Sequence, residues 1–312
     1  MKLRRSATGR TRLGDLGEDL LLQTLLSSLP RSKRVIAGVG DDAAVVDAPA
    51  PGSLAVLKTD CVVERVHFDR KTPPDAVGWK AMMRPLSDFA GMSAIPEFAL
   101  VTLIVPKEKQ VKWATGIYRG LRRAAARFGV RIVGGETSAT PGPAAISVSV
   151  FGNVEKKRWV SRRGGRPGDD LFVTGRLGNS IAGKHLRFVP RIDESRWLTA
   201  HFRIHAMMDL SDGLGADLPR LARASKVGFE LDHESIPRAR GATVKKAIND
   251  GEDYELLFAI SSRDSHDLRR RWRRKFPRLL LTRIGRLNSQ SATNASPART
   301  NPQSLRGYVH FQ

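Results

Sequence analysis

Apolar residues in the chain recur at two different spacings, and each spacing predicts one kind of element. Between residues 109 and 128 they recur at the three- and four-residue steps of an amphipathic helix. The apolar face of this helix consists of Val111, Ala114, Ile117, Tyr118, Leu121, Ala125 and Phe128. Gly129 ends the helix, and further helices are predicted from Pro73-Pro74 to about residue 92 and after residue 212.

Short apolar runs bounded by turn-forming residues predict strands in both halves of the chain. The runs cover 35–39, 54–59, 98–105, 130–133 and 144–154, then 171–174, 228–231, 254–260 and 279–284. Strands and helices alternate in both halves, and this order indicates an α/β or α+β fold.

The length of 312 residues is typical of two domains, and one segment near the middle has the composition of a linker. This segment, 161–170, is rich in Arg, Gly and Pro. We therefore predict an N-terminal domain over 17–158 and a C-terminal domain over 159–312, after a basic, poorly ordered lead-in at 1–16. Residues 288–304 are rich in Ser, Asn, Thr and Pro, so they are predicted to form a mobile loop.

Composition narrows the class of protein. Hydrophobic residues make up 41% of the chain, enough for real cores. No apolar run approaches the ~20 residues that span a bilayer, and the basic start lacks the apolar region of a secretory signal. The lone cysteine, Cys61, excludes an internal disulfide and, because it lies in an apolar run, is predicted to be buried. We expect a cytoplasmic protein with no membrane partner.

The net charge of +22 admits an anionic substrate, a nucleic-acid partner or a generally basic proteome. The densest basic run covers 269–275 and contains Trp272. Leu268 and Trp272 fit one stripe of a helix with arginines around it, which predicts a solvated helix face. Binding of an anionic partner there is the alternative.

Acidic residues are scarce, yet they concentrate at turns and at the ends of apolar runs. The positions are Asp41, Asp42, Asp60, Asp88, Glu136, Asp209, Asp212, Asp250, Glu252, Asp253 and Glu255. Carboxylates brought together repel one another unless cations neutralise them. Oxygen ligands suit Mg²⁺, which keeps substrate phosphates as further ligands. The pattern therefore predicts several Mg²⁺ ions and a polyphosphate substrate.

A near match to the phosphate-binding P-loop lies at 178–185, directly after a predicted strand. Its last position is His185, so the Ser or Thr hydroxyl that binds Mg²⁺ in a P-loop is missing. A turn and helix start whose glycines permit close packing is the preferred interpretation.

Ten short motifs, taken in order, resemble the thiamine-monophosphate kinase family, within the superfamily of aminoimidazole ribonucleotide synthetase. They lie at 40–45, 59–68, 78–92, 134–137, 161–168, 173–183, 185–191, 209–218, 251–258 and 307–311. The runs Gly251-Glu252-Asp253-Tyr254-Glu255-Leu256 and Val66-His67-Phe68 favour this family over its cousins.

The resemblance implies a two-domain aminoimidazole ribonucleotide synthetase-like fold. The N-terminal sheet would pair with its copy in a homodimer to form a barrel, and the C-terminal domain would be an α/β layer. The implied reaction moves the γ-phosphoryl group of ATP to thiamine monophosphate, giving thiamine diphosphate. Phosphoryl transfer depends on alignment and charge neutralisation by Mg²⁺, so no protein nucleophile is expected.

The resemblance also assigns roles to individual residues. Metal positions are Asp42, Lys58, Thr59, Asp60, Asp88, Glu136, Asp209 and Asp212. ATP-binding positions are Gly135, Glu136, Arg162 and Ser211. Positions that contact thiamine monophosphate are His67, Glu252 and Tyr308.

Several positions depart from the usual pattern of the family. Glu136 stands where Asp is usual, and Lys58 replaces a small residue, often Ser or Thr. If that residue binds metal through its backbone carbonyl, Lys58 is harmless; if it binds through a hydroxyl, one metal site is weakened or lost. The remaining departures are Arg65, Ser93 and Asp250 in place of Gly, and Pro85 in place of Asn.

Two other functions are compatible with the sequence. One is a different ATP-using enzyme of the same superfamily, such as a synthetase-like ligase or a hydrogenase-maturation-like dehydratase. The other is a basic protein that has lost catalysis and binds nucleic acid through 269–275. The intact Asp42, Asp60, Asp88 and Asp209 argue against the second alternative.

Overall fold

The computed structural model describes residues 32–289, apart from residues 39 and 49. The predicted lead-in at 1–16, nearly all of the predicted loop at 288–304, and Tyr308 lie outside the described residues. Within the described part, two β-sheets form, one from residues before 156 and one from residues after 168.

The first sheet has six strands in the order β1-β2-β3-β6-β4-β5. Their bounds are β1 Val35–Ala37, β2 Ala44–Asp47, β3 Ser53–Val63, β4 Ile95–Val105, β5 Arg131–Ala139 and β6 Ala145–Glu155. Neighbours are antiparallel except β4 and β5, which are parallel because a helix connects them. The long central pairs keep one face of the sheet buried and leave the other exposed.

Two helices cover the buried face of this sheet: α1 Pro74–Gly91 and α2 Val111–Arg127. Helix α2 is amphipathic as predicted, with Ile117 and Leu121 buried and its arginines outside. Helix α1 is buried on nearly all sides, because the second sheet packs against it as well. The predicted bounds of both helices are confirmed to within two residues.

The second sheet has five antiparallel strands in the order β8-β10-β7-β11-β9. Their bounds are β7 Asp169–Thr174, β8 Ile204–Asp209, β9 Gly228–Leu231, β10 Leu256–Ser261 and β11 Leu281–Asn288. The helices of this half are α3 Ile192–His201, α4 Leu214–Ser225, α5 Val244–Asn249 and α6 Ser265–Lys275.

Alternate residues of β7, β8 and β10 face two different cores. Phe172, Met207 and Phe258 join a core that contains α1 and continues into the first sheet. The opposite face packs on α4 and α5. Helix α1 therefore lies between the two sheets, and the polar groups it carries come close to both halves of the chain.

Helix α6 places Leu268 and Trp272 in the core, while its arginines lie mostly at the surface. The predicted stripe is therefore confirmed. Residues 178–186 form two short 3₁₀ turns in place of a P-loop helix. Gly178 packs closely there, since a Cβ would lie 2.9 Å from the Ala247 nitrogen. None of the helices in the described part of the chain is long and apolar enough to cross a membrane.

The prediction for Cys61 was wrong. Its thiol lies on the exposed face of the first sheet, because the alternation of β3 turns Leu57, Thr59 and Cys61 outward. The sequence patterns also missed β2 and β8, although the predicted metal positions Asp42 and Asp209 lie beside or within them.

Candidate active site

Three buried aspartates meet where α1 passes between the sheets. Asp42 precedes β2, Asp88 lies in the last turns of α1, and Asp209 ends β8. One carboxylate oxygen from each lies within 4.8 Å of the others. Side chains that are 167 residues apart in sequence are thus brought to one point by the packing of α1 against both sheets.

Gly91 makes this approach possible. A Cβ at this position would lie 2.2 Å from the Asp42 Oδ2 atom and 3.0 Å from the Asp209 nitrogen. Only a glycine at the end of α1 therefore lets the two aspartates come this close to the helix.

The buried carboxylates resist ionisation in the absence of bound cations. Burial raises the pKa of Asp42 and Asp88 above the ordinary value, and the pKa of Asp209 to about 7. The negative charge of Asp42 adds to the effect on Asp209. Among the described residues, no hydrogen-bond donor reaches Asp42 Oδ2. An oxygen-preferring cation would satisfy that atom.

Basic side chains partly neutralise the cluster. The Arg162 Nε atom donates to Asp42 Oδ1 at 2.6 Å, and its backbone N–H donates to Asp41. The Lys58 Nζ atom lies 2.8 Å from Asp88 Oδ1 and 3.7 Å from Asp60 Oδ2. Asp60 thereby joins the same cluster through Lys58. The attraction of Asp88 and Asp60 raises the pKa of Lys58 although burial opposes it.

A cavity of about 670 Å³ opens beside the cluster, between the two halves of the chain. His67, Phe68 and Arg84 line it from the first half, and Ser211, Asp212, Glu252 and Tyr254 from the second. Arg84 connects it to the cluster, because its Nη2 atom lies 3.7 Å from Asp60 Oδ1. The predicted positions His67, Ser211 and Glu252 therefore border one space.

Lys80 is a site residue that the sequence analysis missed. Its side chain is fully buried, and its Nζ atom lies 2.6 Å from Glu252 Oε2, 2.9 Å from His185 Nδ1 and 2.7 Å from the His67 carbonyl oxygen. Burial lowers the pKa of Lys80 to about 8 even though Glu252 opposes it. Burial disfavours the Glu252 carboxylate, but contacts with His185 and Lys80 prevail and lower its pKa to about 2.

The missed signal was helical spacing of polar residues within α1. Lys80, Arg84 and Asp88 recur every fourth residue and therefore lie on one face of an otherwise buried helix. That polar stripe runs from the cavity to the aspartate cluster.

Of the acidic residues directly before β10, Glu252 borders the cavity, whereas Asp253 and Glu255 hold the surrounding loops in place. Glu252 and Tyr254 hold left-handed backbone, with φ of 65° and 50°, and this turns Glu252 toward the cavity. Asp253 instead accepts hydrogen bonds from Gly178 and Ser180, and burial raises its pKa to about 6. Glu255 pairs with Lys184 and Arg191.

The loop after β8 is anchored by Asp217, a fully buried residue that the sequence patterns did not single out. Its Oδ2 atom accepts the backbone N–H groups of Ser211 and Asp212 at 3.1 and 3.0 Å. The predicted metal position Asp212 is paired with Arg220 in this structure. A carboxylate in the first turn of α4 was the available signal.

Three predicted positions lie away from the cluster within one chain. The Thr59 side chain faces outward and contacts Ser147 and Ser149. Gly135 and Glu136 lie on the edge strand β5, where Glu136 is aligned across β4 and β6 with Cys61. Three strand spacings separate Glu136 from β3, a distance of roughly 14 Å. The structure therefore does not bring Glu136 to Asp88 within one chain.

Two departures from the family pattern have a backbone consequence. Arg65 and Ser93 both hold left-handed backbone, with φ of 72° and 58°. Glycine adopts this conformation without strain, which explains its usual presence at these positions. Asp250 has an ordinary φ of −70°, and its carboxylate accepts the Asn179 backbone N–H. Nothing in the structure explains Pro85.

Taken together, the two sheets, the helix between them and the carboxylates beside the cavity define an AIR synthase-related protein. The family model of the AIR synthase related N-terminal domain matches residues 40–154, and that of the C-terminal domain matches residues 145–264.

Comparison with individual relatives identifies the family within the AIR synthase-related proteins. The thiamine-monophosphate kinase of Rhodopirellula baltica is 38% identical over 74% of this chain and 78% of its own length. That of Aquifex aeolicus is 33% identical over 96% of this chain and all of its own. The chain belongs to the thiamine-monophosphate kinase family. The solved structure of AaThiL complexed with AMPPCP and TMP superimposes with a TM-score of 0.78 at 32% identity, covering 96% of this chain and 99% of that one.

Proposed function

We propose that this chain transfers the γ-phosphoryl group of ATP to thiamine monophosphate and releases thiamine diphosphate and ADP. The observation that carries the proposal is the convergence of Asp42, Asp88 and Asp209 beside a cavity bordered by His67 and Glu252. Family membership supports it, as does the relative complexed with AMPPCP and TMP. The predicted metal positions Asp42, Asp88 and Asp209 adjoin the predicted acceptor positions His67 and Glu252.

The donor atoms of the cluster fit Mg²⁺. They are carboxylate oxygens, which are the ligands that Mg²⁺ prefers, and Asp42 Oδ2 lacks a donor among the described residues. Asp42, Asp88 and Asp209 would hold the metal, with Asp60 beside them. Bound there, Mg²⁺ supplies positive charge beside the phosphates and lets two anionic substrates approach.

The cavity residues have charges suited to the acceptor. Glu252 stays ionised because its pKa is about 2, and its carboxylate, although paired with Lys80 at 2.6 Å, would attract the cationic thiazolium ring. Arg84 and His67 border the same space. We expect the acceptor to bind with its thiazolium ring near Glu252 and its phosphate toward the aspartate cluster.

Transfer needs no covalent enzyme intermediate. A phosphate oxygen of thiamine monophosphate forms the new bond to the γ-phosphorus, and the bond to the β–γ bridging oxygen breaks with its electrons leaving on ADP. The only thiol, Cys61, faces away from the cavity. A phosphorylated enzyme trapped during turnover would contradict this mechanism.

Turnover with thiamine monophosphate, ATP and Mg²⁺, followed as ADP release and thiamine diphosphate formation, tests the proposal. Asp88→Asn should abolish turnover with the fold retained by circular dichroism. Asp75→Asn is the matched control, because Asp75 lies half-buried in the first turn of the same helix and pairs with Arg123 there. Full activity of Asp88→Asn, or an equal loss in both variants, would contradict the assignment.

The exposed face of the first sheet supports the proposed homodimer. It carries apolar side chains on neighbouring strands: Leu57, Phe98, Leu100, Val133 and Phe151. A contiguous apolar face of this kind is typical of an interface. A second copy would also bring Thr59 of one subunit and Glu136 of the partner subunit onto a shared surface, since both side chains face it. Glu136 would then serve the partner's site.

Two measurements test this arrangement. Leu100→Asp should convert a dimer into a monomer in sedimentation experiments, whereas Val111→Asp should not, because Val111 is exposed on α2 away from the sheet. Mixing inactive Asp88→Asn with inactive Glu136→Gln should restore activity in mixed dimers. Continued inactivity of the mixture would place the role of Glu136 within its own subunit.

A further inference from the structure

Lys58 occupies an unusual place for a lysine side chain. Strand β3 is paired with β6 over its whole length, so its alternation is set by the sheet. Leu57 and Thr59 face outward, which turns Lys58 inward toward α1. Its ammonium group therefore does not extend into solvent, as a surface lysine normally does, but lies among the carboxylates of the cluster.

The ammonium bridges two carboxylates that belong to the candidate metal site. The Nζ atom lies 2.8 Å from Asp88 Oδ1, which is the distance of a charge-assisted hydrogen bond, and 3.7 Å from Asp60 Oδ2. The other Asp60 oxygen, Oδ1, lies 3.7 Å from Arg84. The space between Asp60 and Asp88 therefore already holds positive charge that is part of the chain.

The charge balance of the cluster follows from this. Asp42, Asp60, Asp88 and Asp209 bring four carboxyl groups together, and Lys58, Arg84 and Arg162 bring three basic groups to them. A Lys58→Ser variant would have one positive charge fewer and one ligand oxygen more. The carboxylates of Asp60 and Asp88 would then lack one neutralising cation, and the hydroxyl would supply a ligand for one more divalent ion between them.

We propose that the Lys58 ammonium is a tethered cation that takes the place of one divalent ion between Asp60 and Asp88. The proposal rests on the proposed function, since it concerns the ions of that active site. The proposal decides between the two interpretations of position 58. The metal site that a hydroxyl would complete is absent, and the Lys58 ammonium supplies positive charge in its place. The chain then binds one divalent ion fewer than a variant with a hydroxyl at this position.

The test is a count of bound Mn²⁺ per chain, by equilibrium dialysis and electron paramagnetic resonance, with thiamine monophosphate and a non-hydrolysable ATP analogue present. Lys58→Ser should bind one Mn²⁺ more than the unsubstituted protein. Lys58→Arg, which keeps a cation, should bind the unsubstituted number. Lys112→Ser, a change at an exposed lysine of α2, should also leave the number unchanged.

An unchanged count in folded Lys58→Ser would overturn the proposal, and so would a gain in Lys58→Arg. If Lys58→Ser does not fold, anomalous scattering from Mn²⁺ in crystals of the unsubstituted protein decides the question. A peak between Asp60 and Asp88, with Lys58 displaced, refutes the tethered cation, and an ammonium still in contact with Asp88 supports it. Because the count needs no turnover, a failed kinase assay is distinguishable from a failed ion count.

Discussion

One methyl group at position 91 should disrupt the aspartate cluster. In Gly91→Ala the new Cβ would lie 2.2 Å from Asp42 Oδ2 and 3.2 Å from its carboxyl carbon. Carbon and oxygen do not approach below about 3 Å, so the carboxylate or the helix end must shift by roughly 1 Å. A misplacement of that size costs about a hundredfold in rate when it affects positioned groups, and overpacking costs roughly 1–3 kcal/mol of stability.

The assay is kcat/KM for thiamine monophosphate at saturating ATP and Mg²⁺, together with Mg²⁺ affinity by calorimetry and unfolding in urea. Gly91→Ala should lose about a hundredfold in kcat/KM and bind Mg²⁺ more weakly. Gly142→Ala is the control, because its Cβ would meet only Thr140 Oγ1 at 3.4 Å. Near-normal kinetics and Mg²⁺ affinity in Gly91→Ala would refute the view that close packing at this glycine sets the geometry of the cluster.

Three further predictions follow from the site. Glu252→Gln leaves the buried Lys80 ammonium without its anionic partner and removes the charge facing the thiazolium, so KM for thiamine monophosphate should rise by about tenfold or more while KM for ATP stays the same. Protons compete with Mg²⁺ for Asp209, whose pKa is raised to about 7. Mg²⁺ affinity should therefore increase as the pH rises from about 5 to 7 and level off above that. Calorimetry in two buffers at pH 6 should detect the release of protons on Mg²⁺ binding. An Mg²⁺ affinity that does not change with pH would contradict the raised pKa of Asp209. Arg65→Gly relieves a left-handed conformation that costs about 1–2 kcal/mol, but the glycine adds an entropy cost of folding of about 0.5–1 kcal/mol. The free energy of unfolding in urea should therefore increase by up to about 1.5 kcal/mol.

Local periodicity was enough to predict most of the elements. The helices α1 and α2 follow from their start signals and apolar faces, and the burial of Leu268 and Trp272 follows from helical spacing in α6. Strand β8 was missed because its residues 204–209 include a polar His205 and no turn signal precedes them. Residues 204–209 form a strand because they pair with β10, which lies about fifty residues later in the chain.

The face of each strand was the least predictable feature. An apolar run does not tell which alternate residues face the core, so Cys61 was expected to be buried and is exposed. The same ambiguity hid the difference between Lys58 and Thr59, which are neighbours in sequence but lie on opposite faces of the sheet. Pairing with β6 and packing on α1 decide that question, and neither is a local property.

The sequence by itself determined the acidic residues, their positions at turns and element ends, and the family to which their order points. Only the tertiary structure decided which of them meet: Asp42, Asp88 and Asp209 converge because Gly91 lets α1 pack closely between two sheets, while Glu136 stays three strands away. It also decided that Lys58 faces inward and that Lys80 is buried against Glu252. The physical reason is that charges interact through space, and the distances between them are set by long-range packing rather than by spacing along the chain.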